Sequence, residues 1–244
     1  TAGDYRSVSG GNWTSDNIWQ RFDGSSWVTP TQYPGEATGT GVVTINNNVT
    51  INRSPANAIG SLIIQGNLTI DNNDRTLTIS NDLIISAGTL TMSVDPDGDL
   101  TLNLGGDFTM TGGSVTETGS YGTVIFNGPG IQTFTKTGGI ISNNIRFTVN
   151  SGSVLDMGTS VLDGSTGTFT LQAGAGMITA HPEGIASTGA TGSIRVTGTR
   201  SFNTGSGYTY NGTVLQITGS GLPSTVNNLT VENSAGVTLT SSVT

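Results

Sequence analysis

The chain carries 244 residues, with 16 acids against 8 bases for a net charge of −8, no cysteine and a single histidine. That balance, with Lys136 the only lysine, excludes the clustered cations that a nucleic-acid backbone requires. The missing thiols exclude disulfides, thiolate zinc sites and cysteine nucleophiles, and no apolar run approaches the length of a membrane span.

Hydrophobic residues make up 33% of the chain and charged ones only 10%, while glycine alone fills 37 positions. Gly, Asn, Ser and Thr suit tight turns and the outward positions of strands. Disordered chains combine high charge with few regularly placed aliphatics, and here the aliphatics are regular. The length fits one large all-β domain, and nothing along it reads as a linker.

Residues 1–40 differ from the rest. All three tryptophans, Trp13, Trp19 and Trp27, fall here with Tyr5, Phe22 and Tyr33. If the remainder of the chain is a solenoid, its open end exposes an apolar core and an unpaired strand edge, and both need a cover. Large aromatics supply buried area in few residues, so this stretch reads as an amino-terminal cap. A sugar-stacking platform of exposed tryptophan faces is the functional alternative.

From residue 41 onward, short apolar-alternating triplets recur between Gly and Asn, among them Leu68-Thr69-Ile70, Leu77-Thr78-Ile79, Leu83-Ile84-Ile85, Leu90-Thr91-Met92 and Phe108-Thr109-Met110. Period two sends the flanking residues to one face and the middle one to the other. Strands this short cannot each nucleate a sheet, but each can stack on its equivalent from the previous turn. Leu62, Leu83, Leu102, Val124 and Ile145 open such segments at gaps of 21, 19, 22 and 21 residues, close to the roughly 20 residues of a three-stranded coil. The spacing predicts one ladder through these five residues. A second passes through Leu68 and Leu90, and Phe108 and Val115 compete for its next rung. The fold expected over 41–244 is an all-β, right-handed parallel β-helix of roughly nine or ten coils, near 45 Å long at about 4.8 Å per coil.

Asp95-Pro96-Asp97-Gly98-Asp99 is the sharpest polar constellation. Acids at alternate positions around a Gly turn can converge oxygen ligands, so Asp95, Asp97 and Asp99 are candidate ligands of a structural calcium; Asp-Gly is also an ordinary turn dipeptide. No other cofactor is expected. Catalysis on a β-helix would need acids clustered with cations on one face. Lys136 and Arg146 join no visible acidic cluster, Asp156 and Asp163 are the nearest thing to a carboxylate pair, and nothing around His181 reads as a nucleophile elbow. The chain is therefore expected not to be an enzyme. Thr-x-Thr pairs at Thr76/Thr78, Thr89/Thr91, Thr133/Thr135, Thr168/Thr170 and Thr238/Thr240 raise the prospect of a flat, ice-binding threonine face. Their first-residue gaps of 13, 44, 35 and 70 follow no single coil length, which favours ordinary strand-surface threonine.

Between about 180 and 212 the triplet rhythm weakens and glycines crowd, as expected of a lateral excursion from one face of a repeat protein. The segment holds His181, Arg195, Arg200, Tyr208 and Tyr210, the candidate ligand-binding residues, for a glycan or a surface protein. Packing of the loop onto the solenoid is their structural alternative. The chain ends at Thr244 within an alternating strand pattern. An unprotected edge there invites aggregation, so further chain or self-association beyond residue 244 is expected. The start at Thr1, without initiator Met or signal sequence, fits a processed or trimmed form.

Gly11-Asn12-Trp13, Asn17-Ile18-Trp19, Trp27, Pro34-Gly35 and the strands around Val42–Ile45 and Val49–Ile51 resemble the start of many secreted proteins of the Bacteroidetes, and more loosely the amino-terminal part of G8-type domains. A later block, including Gly167–Leu171, His181-Pro182-Glu183-Gly184-Ile185, Gly198-Thr199-Arg200 and Tyr208–Thr213, is similar to a segment recurring in large surface proteins of that group. The resemblance implies export, by the type IX route, and a right-handed parallel β-helix attached to further repeats; it supplies no catalytic residues, and the sorting domain typical of such cargo is not found here. The expected function is that of an exported structural or adhesive module of the cell surface or extracellular matrix. A polysaccharide-binding or polysaccharide-cleaving β-helix and an ice-binding solenoid are the alternatives.

Overall fold

The period-two pattern is realised as three parallel sheets wound about one core. In the computed structural model, which describes residues 1–244, the chain visits three faces in turn and forms a β-solenoid of about nine turns. The first face stacks Tyr5–Ser7, Val43–Ile45, Leu62–Ile64, Leu83–Ile85, Phe108–Met110, Gly130–Lys136, Ser153–Asp156, Gly176–Thr179, Gly207–Tyr210 and Asn228–Val231 in parallel. The second stacks Gly11–Asn12, Asn48–Ile51, Asn67–Ile70, Thr89–Thr91, Ser114–Thr116 and Ile140–Ile141. The third stacks Arg75–Ile79, Gly98–Leu104, Gly122–Phe126, Ile145–Val149, Phe169–Leu171 and Arg200–Phe202. No helix is long and apolar enough to cross a membrane.

Inward residues of successive rungs lie on top of one another because the strands pair in register. Val43, Leu62, Leu83, Phe108 and Phe134 form one such column, and Leu77, Leu102, Val124, Phe147 and Phe169 another. All ten are essentially inaccessible to solvent. Phe108 stacks on Phe134 with ring centroids 4.9 Å apart and meets Phe147 edge-on at 6.5 Å across the bore. Burying an aliphatic side chain contributes roughly 1.5–3 kcal/mol, so the stability of the rod is a sum over neighbouring coils.

The single ladder read from sequence through Leu62, Leu83, Leu102, Val124 and Ile145 is in fact two. Leu62 and Leu83 continue to Phe108 on the first face, whereas Leu102 pairs with Val124, and Ile145 with Gly122, on the third. The cause is a hairpin inserted in that coil: Ser93–Asp95 pairs antiparallel with the start of Gly98–Leu104, lengthening the path from Leu83 to its partner Phe108. A constant step of about 20 residues therefore slides from one face to another. In the second ladder Val115, not Phe108, follows Leu90, and Ile141 follows Val115.

An aromatic cluster closes the amino-terminal end. Tyr5–Ser7 and Gly11–Asn12 stack on the first full coil; Trp19–Phe22 then turns back antiparallel against Tyr5–Ser7, and Trp27–Val28 pairs with Trp19–Phe22. An antiparallel cover of this kind removes the free parallel edge. Trp13 and Trp19 are fully buried, 5.2 Å apart and edge-on. The Trp13 indole N–H donates to the Pro34 carbonyl at 2.9 Å and that of Trp19 to the Trp13 carbonyl at 2.8 Å, as buried indoles require. The face of Trp27 is covered by the Arg6 guanidinium, 4.3 Å from the ring centroid. Trp13 and Trp19 present no free face for a sugar ring, and on Trp27 one face is occupied by Arg6.

Candidate functional site

Two surfaces merit attention: the excursion after Thr179 and the outward side of the third face. In the excursion, Gly176–Thr179 pairs in parallel with Gly207–Tyr210, so the intervening chain must leave the stack and return. It turns at His181-Pro182-Glu183-Gly184, touches the solenoid again where Leu162 bridges Ile194, and rejoins it at Arg200–Phe202. Arg195 is held there by three neighbours. Its Nε donates to the Gly192 carbonyl at 2.9 Å, and its Nη2 lies 3.2 Å from His181 Nε2 and 3.5 Å from Glu183 Oε2. The Glu183 carboxylate also accepts the Gly192 amide at 3.2 Å.

His181 Nδ1 accepts the Glu183 amide at 3.1 Å. A neutral imidazole accepts at one nitrogen only, so the Glu183 amide at Nδ1 and the Arg195 guanidinium at Nε2 compete for a single acceptor. Desolvation, then the Arg195 charge, push the His181 pKa below its ordinary value, with Glu183 opposing. Beside this cluster a cleft of about 330 Å³ is lined by Arg195 and Arg200 with Ser187, Thr188 and Thr197, and no carboxylate is among its walls.

The other candidates of this segment belong to the stack. Arg200 is in register with Phe169, so its stem continues an inward column. Its guanidinium donates to the carbonyls of Val196 at 2.8 Å, Ala186 at 3.0 Å and Gly189 at 2.5 Å, which ties the loop to the rod. Tyr208 and Tyr210 are inward residues of the first face, 2% and 1% exposed, with hydroxyls donating to the carbonyls of Asn203 at 2.7 Å and Thr218 at 2.9 Å. Burial raises both phenol pKa values far above the usual range. The structure thus brings His181, Arg195 and Arg200 together and sets the two tyrosines apart in the core.

The acids are used locally. Asp95 Oδ1 accepts the Asp97 and Gly98 amides at 2.9 and 3.0 Å, closing the hairpin turn, and Asp99 Oδ1 accepts the Tyr121 amide of the next coil at 3.2 Å. No group of three or more His, Asp or Glu side chains is arranged to hold a metal ion, and Asp95, Asp97 and Asp99 do not converge. Asp156 folds onto the Gly158 amide at 2.8 Å, while Asp163 pairs with Lys136 at 3.1 Å. The Arg146 guanidinium lies 3.4 Å from the centroid of Tyr121.

The outward side of the third face carries two columns of side chains, most of them threonine. Register aligns Thr76, Thr101, Thr123, Arg146 and Thr168 in one column and Thr78, Asn103, Ile125, Thr148, Thr170 and Ser201 in the other. Of the threonine pairs visible in the sequence, only Thr76/Thr78 and Thr168/Thr170 stand here; Thr89/Thr91 is on the second face and Thr133/Thr135 on the first. Thr101, Thr123, Thr148 and Ser201 were not legible as members of an array, because their partners in each rung are not all threonine. Comparison with known proteins yields no matching family model, no matching curated protein and no matching solved structure.

Proposed function

We propose that this protein is an exported structural or adhesive module of the cell surface or extracellular matrix. The observation that carries the reading is the single buried core running from Tyr5 to Leu222. It makes the molecule a rod that offers long repetitive faces, a design for spacing and surface contact rather than for enclosing a substrate. The low lysine content, the lack of cysteine and the resemblance of the Trp- and Gly-rich motifs to secreted Bacteroidetes repeat proteins support export. In this reading the protein is not an enzyme and needs no cofactor. A glycan-array screen paired with a reducing-end assay tests it: adhesion without turnover supports the reading, and repeated cleavage of any bound glycan overturns it.

A second reading, polysaccharide binding, is favoured by the cleft beside Arg195. The Arg195 guanidinium, shared with Glu183 at 3.5 Å, and three hydroxyl side chains along the cleft suit the carboxylates or sulfates of an acidic glycan. Arg195→Gln should then abolish array signals for uronate-containing and sulfated glycans.

A further inference from the structure

We propose that the third face of the solenoid binds ice. The face includes four of the longer rungs of the fold, with five residues in Arg75–Ile79, Gly122–Phe126 and Ile145–Val149 and seven in Gly98–Leu104. Its outward positions form a grid whose short repeat is the strand separation, about 4.8 Å, and whose long repeat is two residues of strand, about 6.6 Å. The short repeat is close to the shorter oxygen repeat on a prism plane of hexagonal ice, while the long one falls short of the longer repeat and leaves the reach to the side chains.

The chemistry of the grid matches as well. Seven of its side chains are threonines, whose branched Cβ restricts χ1 in a strand, so hydroxyl and methyl groups are held in place before any ligand arrives. None of Thr76, Thr78, Thr101, Thr123, Thr148, Thr168 and Thr170 spends its hydroxyl on another protein group, nor does Asn103 its side-chain amide. On the second face, by contrast, the equivalent groups bond one another: Asn67 Nδ2 donates to Asn48 Oδ1 at 2.8 Å, Ser114 Oγ to Thr89 Oγ1 at 3.0 Å and Ser142 Oγ to Thr116 Oγ1 at 2.9 Å.

A periodic array in which seven of eleven positions are threonine carries little address for a unique macromolecule. Protein interfaces are anchored by buried aromatic or arginine side chains; the one arginine of this face, Arg146, is laid against Tyr121, and no aromatic side chain occupies either column. A periodic array matches a periodic solid. Ionic minerals would require rows of charge, and sugar crystals would favour stacking aromatics; a grid of hydroxyl and methyl groups interrupted by one cation, Arg146, matches a water lattice better than either. Each hydroxyl contributes little by itself, and a rigid grid adds such contributions with little further loss of side-chain freedom. The inference goes beyond the surface-scaffold reading and holds wherever the rod is displayed, so a negative glycan screen leaves it standing.

The test is thermal hysteresis and partition into a growing ice hemisphere, measured for the purified chain and for Thr101→Tyr and Thr148→Tyr, which raise a ring from the middle of the grid, with Thr50→Tyr on the second face as control. Circular dichroism melts establish that each variant is folded. Hysteresis in the parent chain and the control, lost in either third-face variant, is expected. No hysteresis and no partition of the parent chain at high concentration overturns the proposal on its own, whatever the variants do. It is equally overturned if folded third-face variants keep full activity, or if the chain is pulled down by crystalline cellulose through these residues while ignoring ice.

Discussion

Gln132 and Gln216 stand at two different corners of the solenoid, in distant coils, and make the same kinds of bonds. Each is fully buried, and each side-chain oxygen accepts the amide of the glycine four residues earlier, Gly128 or Gly212, at 2.8 Å. Each side-chain nitrogen donates to two carbonyls of the preceding coil: Leu104 and Gly106 at 2.9 and 2.5 Å for Gln132, Thr179 and His181 at 3.1 and 3.0 Å for Gln216. The matching motifs, Asn127-Gly128-Pro129-Gly130-Ile131-Gln132 and Asn211-Gly212-Thr213-Val214-Leu215-Gln216, mark where the chain turns onto a new strand. The turn leaves backbone groups that no ladder can pair, and the glutamine satisfies them.

Replacing Gln132 by Leu keeps the volume and leaves those groups unpaired inside the protein. An orphaned buried group costs about 1–3 kcal/mol, so Gln132→Leu should destabilise the solenoid by at least that amount in urea unfolding. Gln216→Leu should do the same, and an unchanged midpoint in both would contradict the role assigned here.

Two glycines separate steric from conformational cost. Gly88 has φ +64°, and a Cβ there would collide with the Gly66 carbonyl of the coil below; Gly152 has φ +84° and open space around it. Gly152→Ala should cost about 1–2 kcal/mol for the left-handed backbone alone. Gly88→Ala adds overpacking, typically about 1–3 kcal/mol more, and its unfolding midpoint should fall clearly below that of Gly152→Ala.

Phe147 sits between Val124 and Phe169 in its column and meets Phe108 across the bore. Truncation to Ala opens a cavity shared by both neighbouring coils. Phe147→Ala should lose about 3–5 kcal/mol, measurable by calorimetry.

His181, the only histidine, gives a single imidazole signal to follow by NMR. Its pKa is lowered by desolvation first and Arg195 second, so it should titrate below the ordinary value of about 6.5, and Arg195→Gln should move the midpoint upward. The unfolded chain binds the proton more readily than the folded one, so this contribution to stability is present above about pH 6.5 and is lost as pH falls below it. A midpoint at or above that of a free histidine peptide would refute the assignment.

The role of individual residues was legible where it depends on neighbours in sequence. Leu83-Ile84-Ile85 and Phe108-Thr109-Met110 announce buried, half-exposed, buried without any knowledge of the fold, and Trp13 and Trp19 announce the closed end. Arg200 was not legible, since its charge suggests the surface while its register beneath Phe169 turns it inward. Nor were Tyr208 and Tyr210, whose inward side is fixed by pairing with Met177 and Thr179.

The sequence by itself determined the alternation of inside and outside, the all-β class and the coil-on-coil manner of burial, because the pleat sends successive side chains to opposite sides whatever the strand is paired with. Only the tertiary structure decided which outward residues share a face. Coils differ in length, from the 19 residues between Val43 and its partner Leu62 to the 31 between Gly176 and Gly207. Hairpins and loops absorb the difference off the stack, so neighbours in the threonine grid stand at unequal separations along the chain, and backbone pairing alone brings them into line.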